Sequence, residues 1–75
     1  MSQNPSLNEV LAGEIRVELA RRDITQSDFA RNLGWSPPYL SRRMSGEVPF
    51  DANDIDLIAE FLGISRDQLT NPVRR

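Results

Sequence analysis

Helix-start signals punctuate this chain of 75 residues at short intervals: Ser6, Thr25, Ser36, Asp51 and Ser65 each stand just before an apolar-periodic stretch. A side-chain oxygen at such a position accepts a bond from one of the first N–H groups of a helix, which have no partner inside it. An acid or amide three residues on can return the bond and close a capping box. Ser6 with Glu9, Thr25 with Asp28, Asp51 with Asp54 and Ser65 with Gln68 have that spacing. Stops follow the starts, at Gly34, Gly46, Gly63 and Pro72. No strand alternation, internal repeat or low-complexity segment interrupts the series. The expectation is an all-α fold of five short helices in one compact domain, residues 1–75 with a core over 7–70.

The spacing predicts helix one over residues 7–22, with Leu7, Leu11, Ile15 and Leu19 as its buried stripe. Helix two follows Thr25, is stapled by Ile24 and Phe29, and ends after Leu33. Helix four follows Asp51, is stapled by Phe50 and Ile55, and buries Ile55, Ile58, Ala59 and Leu62 up to Gly63. Its acidic run over 51–60 reads as a solvated face, Asp54, Asp56 and Glu60 included. Helix five follows Ser65, is stapled by Ile64 and Leu69, and is terminated by Pro72. Residues 1–5 and 73–75 read as frayed termini, with Arg74 and Arg75 adding at most nonspecific attraction.

The stretch Gly34–Gly46, GWSPPYLSRRMSG, looks at first like a loop because of its paired prolines. With Ser36 as the cap, however, Pro37 and Pro38 fall on the first two helical positions. The N–H groups missing there have no helical partner anyway, and proline's fixed φ already suits a helix. The prolines start helix three, which runs to near Ser45 with Trp35 and Leu40 as its staple. Trp35 reads as partly buried packing rather than a base-stacking ring.

Composition closes off other functions. The chain has no cysteine and no histidine, so it has no disulfide, no cysteine zinc site and none of the usual nucleophile–base pairs. The carboxylates form no recognisable catalytic pair, and neither an enzymatic activity, a metal, a cofactor nor a small-molecule ligand is expected. No apolar run approaches membrane-spanning length and the N-terminal residues lack a signal peptide's pattern, so the expected location is the cytoplasm. The net charge is −2, yet it is unevenly placed. Residues 29–46 hold Arg31, Arg42 and Arg43 and no acid, while acids outnumber arginines on both sides.

Helices two and three are joined by the short glycine-containing turn Leu33-Gly34-Trp35-Ser36. That is a helix-turn-helix arrangement, whose second helix enters the DNA major groove. The residues ITQSDFARNLGWSPPYLSRRMSGEVPF (24–50), IAEFLGIS (58–65) and DQL (67–69) resemble the lambda-repressor-like, Cro-type helix-turn-helix domains. Thr25-Gln26 opens helix two, Phe29-Ala30 and Leu33-Gly34 follow, and Gly46 stands at the thirteenth position counted from Gly34, with a proline after it. The chain departs from the pattern at Arg43 and Met44, where the family often carries an apolar residue and then glutamate.

The resemblance implies that helix 36–45 reads a double-stranded DNA operator. Taking Leu40 as inward and about 100° per residue, Met44 lies about 40° away and joins it, while Arg42 lies about 200° away and faces outward. Arg42 is the main candidate for base reading, because arginine to guanine O6/N7 is the commonest specific contact. Ser41 can reach base or phosphate. Pro37 and Pro38 either touch thymine methyls or only shape the helix start. Gln26 corresponds to the family glutamine that contacts phosphate and braces the reading helix. Ser27, Arg31, Arg43 and Ser45 are phosphate-positioning candidates, and Tyr39 either reaches phosphate or covers the helix flank.

The implied function is a sequence-specific regulator, most simply a small repressor of the phage Cro or immunity-repressor kind. The alternative is a protein-interaction domain, such as an antitoxin or antirepressor, working through its acidic surface. A homodimer, formed in solution or only on DNA, would use Ile64, Leu69 and Val73.

Overall fold

All five anticipated caps form. Ser6 accepts from the Glu9 N–H, Thr25 from Asp28, Ser36 from Tyr39, Asp51 from Asp54 and Ser65 from Gln68. The computed structural model describes residues 6–71; the expectations about residues 1–5, Pro72, Val73, Arg74 and Arg75 lie outside the described residues. Among the described residues there are five helices and no strand: α1 (Leu7–Arg22), α2 (Gln26–Asn32), α3 (Pro37–Met44), α4 (Ala52–Leu62) and α5 (Arg66–Thr70). Reciprocal capping boxes close at Ser6 with Glu9 and at Asp51 with Asp54. Pro37 and Pro38 occupy the first two positions of α3 as the sequence requires. None of these helices is long and apolar enough to cross a membrane.

The helices enclose one core. The α2–α3 unit packs on α1 through α3, and α5 bridges α1 to α4. Phe29, Leu11, Ile15, Leu40, Ile58 and Leu69 are fully buried at its centre. Side chains of this size each contribute about 1.5–3 kcal/mol on leaving water. Trp35, Ile24 and Ile64 lean against the core from their staple positions. Leu7, expected in the stripe of α1, is instead 56% exposed. It lies in the first turn, beyond the reach of the helices that cover Leu11 and Ile15. Leu69, expected to serve a dimer contact, is consumed by the monomer's own core where α5 meets α1.

Two acids of α1, Glu14 and Glu18, are buried among these apolar groups, which the stripe of leucines does not anticipate. Glu18 is held by Arg22 and by Arg21, the latter at 3.1 Å. Arg22 also donates to the Leu62 carbonyl at 2.7 Å, so one guanidinium satisfies a buried carboxylate and the open end of α4 together. The chain then leaves α1 through Asp23, a non-glycine residue in the left-handed region at φ 57°.

Two outcomes follow. Replacing Pro37 and Pro38 together by alanine should leave circular dichroism without a clear gain of helix, and stability within about 1 kcal/mol of the parent. A marked gain in helix would mean that the prolines interrupt α3. The second concerns Glu18. The Arg22 hydrogen bond, opposed by burial and reinforced by the charge of Arg21, holds its carboxyl below the usual glutamate value. A lowered folded-state value gives stability that is present above the unfolded value and lost as pH falls through the folded one. Glu18→Gln should therefore cost about 1–3 kcal/mol in urea unfolding at pH 7. That gap should shrink below about pH 4; a gap independent of pH would contradict the ion-pair account.

Candidate nucleic-acid interface

The turn between α2 and α3 is fixed by backbone bonds. The Trp35 N–H donates to the Ala30 carbonyl at 2.8 Å and the Gly34 N–H to Arg31 at 3.0 Å. Gly34 itself has φ 81°, a conformation that L side chains rarely adopt. The resulting angle brings the N-terminal ends of both helices side by side. Gln26 and Ser27 from α2 and Pro37, Pro38 and Ser41 from α3 line one open cleft of about 370 Å³. Five of the residues singled out from sequence thus share one surface, and none of them is acidic.

Arg42 is exposed, as its position on the helix requires, with Glu47 at 4.0 Å. Both groups of this pair are largely in water, so it is worth little and yields to a stronger partner. Arg31 is also exposed, paired with Asp28 at 3.2 Å. Ser45 has local partners: its hydroxyl donates to the Arg42 carbonyl at 3.0 Å and accepts from the Glu47 N–H. Trp35 packs against the Tyr39 ring at 4.7 Å, which fits a packing role rather than base stacking.

Arg43 differs from the expectation of a phosphate contact, and Tyr39 takes the second of its two expected positions, against the helix flank. Both turn inward to Asp54, which is 2% exposed rather than solvated on the face of α4. The Tyr39 hydroxyl donates to one Asp54 oxygen at 2.8 Å, and Arg43 Nε donates to the other at 2.9 Å. The second oxygen also accepts the Asp51 N–H at 3.0 Å, so the carboxylate caps its own helix as well. The guanidinium of Arg43 lies 3.6 Å from the Tyr39 ring centroid. A buried carboxylate demands such partners, and satisfying it draws the two side chains away from solvent. Burial pushes the Asp54 pKa up, but the bonds from the Asp51 N–H, Tyr39 and Arg43 outweigh it and hold the group ionised below the usual aspartate value. The bond to Asp54 raises that of Tyr39.

The far end of α3 is carried by α1. Asn8 donates to the Arg43 carbonyl and accepts from the Phe50 N–H, each at 2.9 Å. Arg16 donates to the Met44 carbonyl at 3.4 Å. Sequence reasoning did not find Asn8, Arg16 or the buried role of Asp54. The available signal was Arg43, a cation where similar domains carry an apolar residue, which required a compensating acid nearby.

These features have counterparts in known proteins. A family model described as helix-turn-helix matches residues 14–69. A solved structure titled as a hypothetical transcription factor NHTF from Neisseria superposes with a TM-score of 0.82 at 25% identity, covering 96% of this chain and 86% of that one. No curated protein matches the chain in sequence. With a matching family model over most of its length and the α2–α3 unit in place, the chain belongs to the helix-turn-helix family of lambda-repressor and Cro type, a family of DNA-binding transcription regulators.

Proposed function

We propose that the protein is a sequence-specific double-stranded DNA-binding regulator, a small repressor that lays α3 in the major groove of an operator and occludes a promoter. The observation that carries this reading is the acid-free cleft where Gln26 and Ser27 meet Pro37, Pro38 and Ser41, with exposed Arg42 on the adjoining face of α3. Arg42 and Ser41 read base edges, and Pro37 and Pro38 shape the helix start and offer apolar contact to thymine methyls. Gln26, Ser27, Arg31 and Ser45 meet phosphates and set the register without reading sequence. The protein works by occupancy in the cytoplasm of a bacterial or phage-infected cell, in the manner of Cro or an immunity repressor.

A second reading, a protein-interaction domain of antitoxin or antirepressor kind, is favoured by one observation. Leu57 and Phe61 stand 41% and 42% exposed on α4, beside the acids Asp56 and Glu60. The same pair, unlike buried Leu69, offers apolar surface to a homodimer on paired half-sites.

Selection of bound sequences from a random DNA pool, followed by a salt series, tests the reading. A DNA binder loses affinity steeply as salt rises, and half-site spacing in the recovered sequences reports dimerisation. Arg42→Ala should weaken the selected site by about 1–3 kcal/mol and relax preference at one base pair. Unchanged binding and preference would remove Arg42 from the reading surface. Gln26→Ala should weaken all sequences alike, and an altered base preference in that variant would assign it more than positioning.

A further inference from the structure

Asp54 lies behind the DNA-facing helix, and its two bonds to α3 hold groups that a polyanion would attract. Arg43 is fixed on three sides: Nε on Asp54 at 2.9 Å, Nη1 on the Tyr39 carbonyl at 3.2 Å, and its plane against the Tyr39 ring at 3.6 Å. Its side chain is 14% exposed, against 61% for the adjacent Arg42. Two neighbouring arginines on one short helix are thus treated in opposite ways. Arg42 has a solvated partner at 4.0 Å, whereas Arg43 is neutralised by a buried carboxylate with three donors.

We propose that Asp54 is a specificity-determining positioning residue, which withholds Arg43 and Tyr39 from the phosphate backbone and leaves Arg42 to face the groove. The proposal rests on the DNA-binding reading above. Phosphate attracts an arginine whatever the sequence, so a further free arginine raises affinity for every duplex alike. Discrimination is a difference between affinities, and suppressing a sequence-blind contact widens it. The carboxylate achieves this from inside the fold, without adding a negative group to the DNA-facing surface. Because Asp54 also caps α4, the same group ties the tilt of α3 to the start of the following helix.

The test measures binding of the selected site and of an unrelated duplex across a salt series, with melting by circular dichroism to confirm folding. Asp54→Asn should bind the unrelated duplex several-fold more tightly and lower the specific-to-unrelated ratio. The released Arg43 gains about one phosphate, so the log–log salt slope should steepen by about 0.9. Adding Arg43→Met should return the slope to the wild-type value, and this double variant leaves neither charge buried alone. Should Asp54→Asn fail to fold, the double variant decides: a wild-type slope supports the proposal. A slope shallower by about 0.9 would show that Arg43 contacts phosphate in the parent and overturn it. Equal losses on both duplexes at unchanged slope, in folded Asp54→Asn, would also overturn it by reducing Asp54 to packing. Absence of salt-dependent binding by the wild type would reject the DNA-binding reading itself, and the proposal with it.

Discussion

An ionised carboxylate buried behind α3 sets the terms for the rest of the molecule. Removing Asp54 from water costs several kcal/mol unless its lone pairs are met by donors, and here they are met by two side chains of α3 and by the Asp51 N–H that opens α4. The choice of donors dictates geometry. Tyr39 and Arg43 lie one helical turn apart on α3, so both reach the same acid only if that side of the helix faces α4. Once it does, Ser41 lies on the opposite side and Arg42 on the flank away from Leu40, and both are exposed. Leu40 and Met44, buried in the core beneath, fix the apolar side of the same helix. The polar cluster narrows its orientation.

Local chemistry explains why so much of the architecture could be read from residue order. A cap needs only a side-chain oxygen and a backbone N–H three residues away, and proline acts on its own φ, so helix limits lie within reach of the sequence. The five starts and the prolines of α3 follow this logic. The cleft was legible for a different reason: the turn before Trp35 fixes how α2 meets α3, so residues at both N-terminal ends become neighbours. What the order of residues conceals is partnership across the fold. Asp54 satisfies its own cap in sequence, which disguises its bonds to α3. Leu69 is apolar and near the end of the chain, yet α1 covers it. Asn8 has no local pattern at all, because Arg43 and Phe50 lie 35 and 42 residues away.

The outward side of α3 offers an unusual mixture. Helices that read bases often present amides and guanidinium groups at their first turn, whereas α3 presents two rings without donors. Those rings stiffen the start of the helix and leave hydrogen-bonding to Ser41 and Arg42. The few polar groups on this side are held in place by α1 from one end of the helix and by the α2 turn from the other. Asn8 and Arg16 take up the last carbonyls of α3, so the end remote from the cleft is anchored rather than frayed.

Asp23 has a bearing on how such a protein can change over generations. Its left-handed backbone, at φ 57°, resembles that of Gly63 at φ 70°, where glycine closes α4 without a Cβ to accommodate. A Cβ in this region carries an intrinsic penalty of about 1–2 kcal/mol, softened for aspartate by local hydrogen bonding. The junction after α1 consequently holds a reserve: Asp23→Gly would remove this penalty, offset in part by glycine's larger entropy loss on folding, without altering the α2–α3 unit. A regulator acquiring a new target must accept changes in its reading helix, and most changes destabilise. A strained junction outside that helix gives the lineage somewhere to recover what the new specificity takes away.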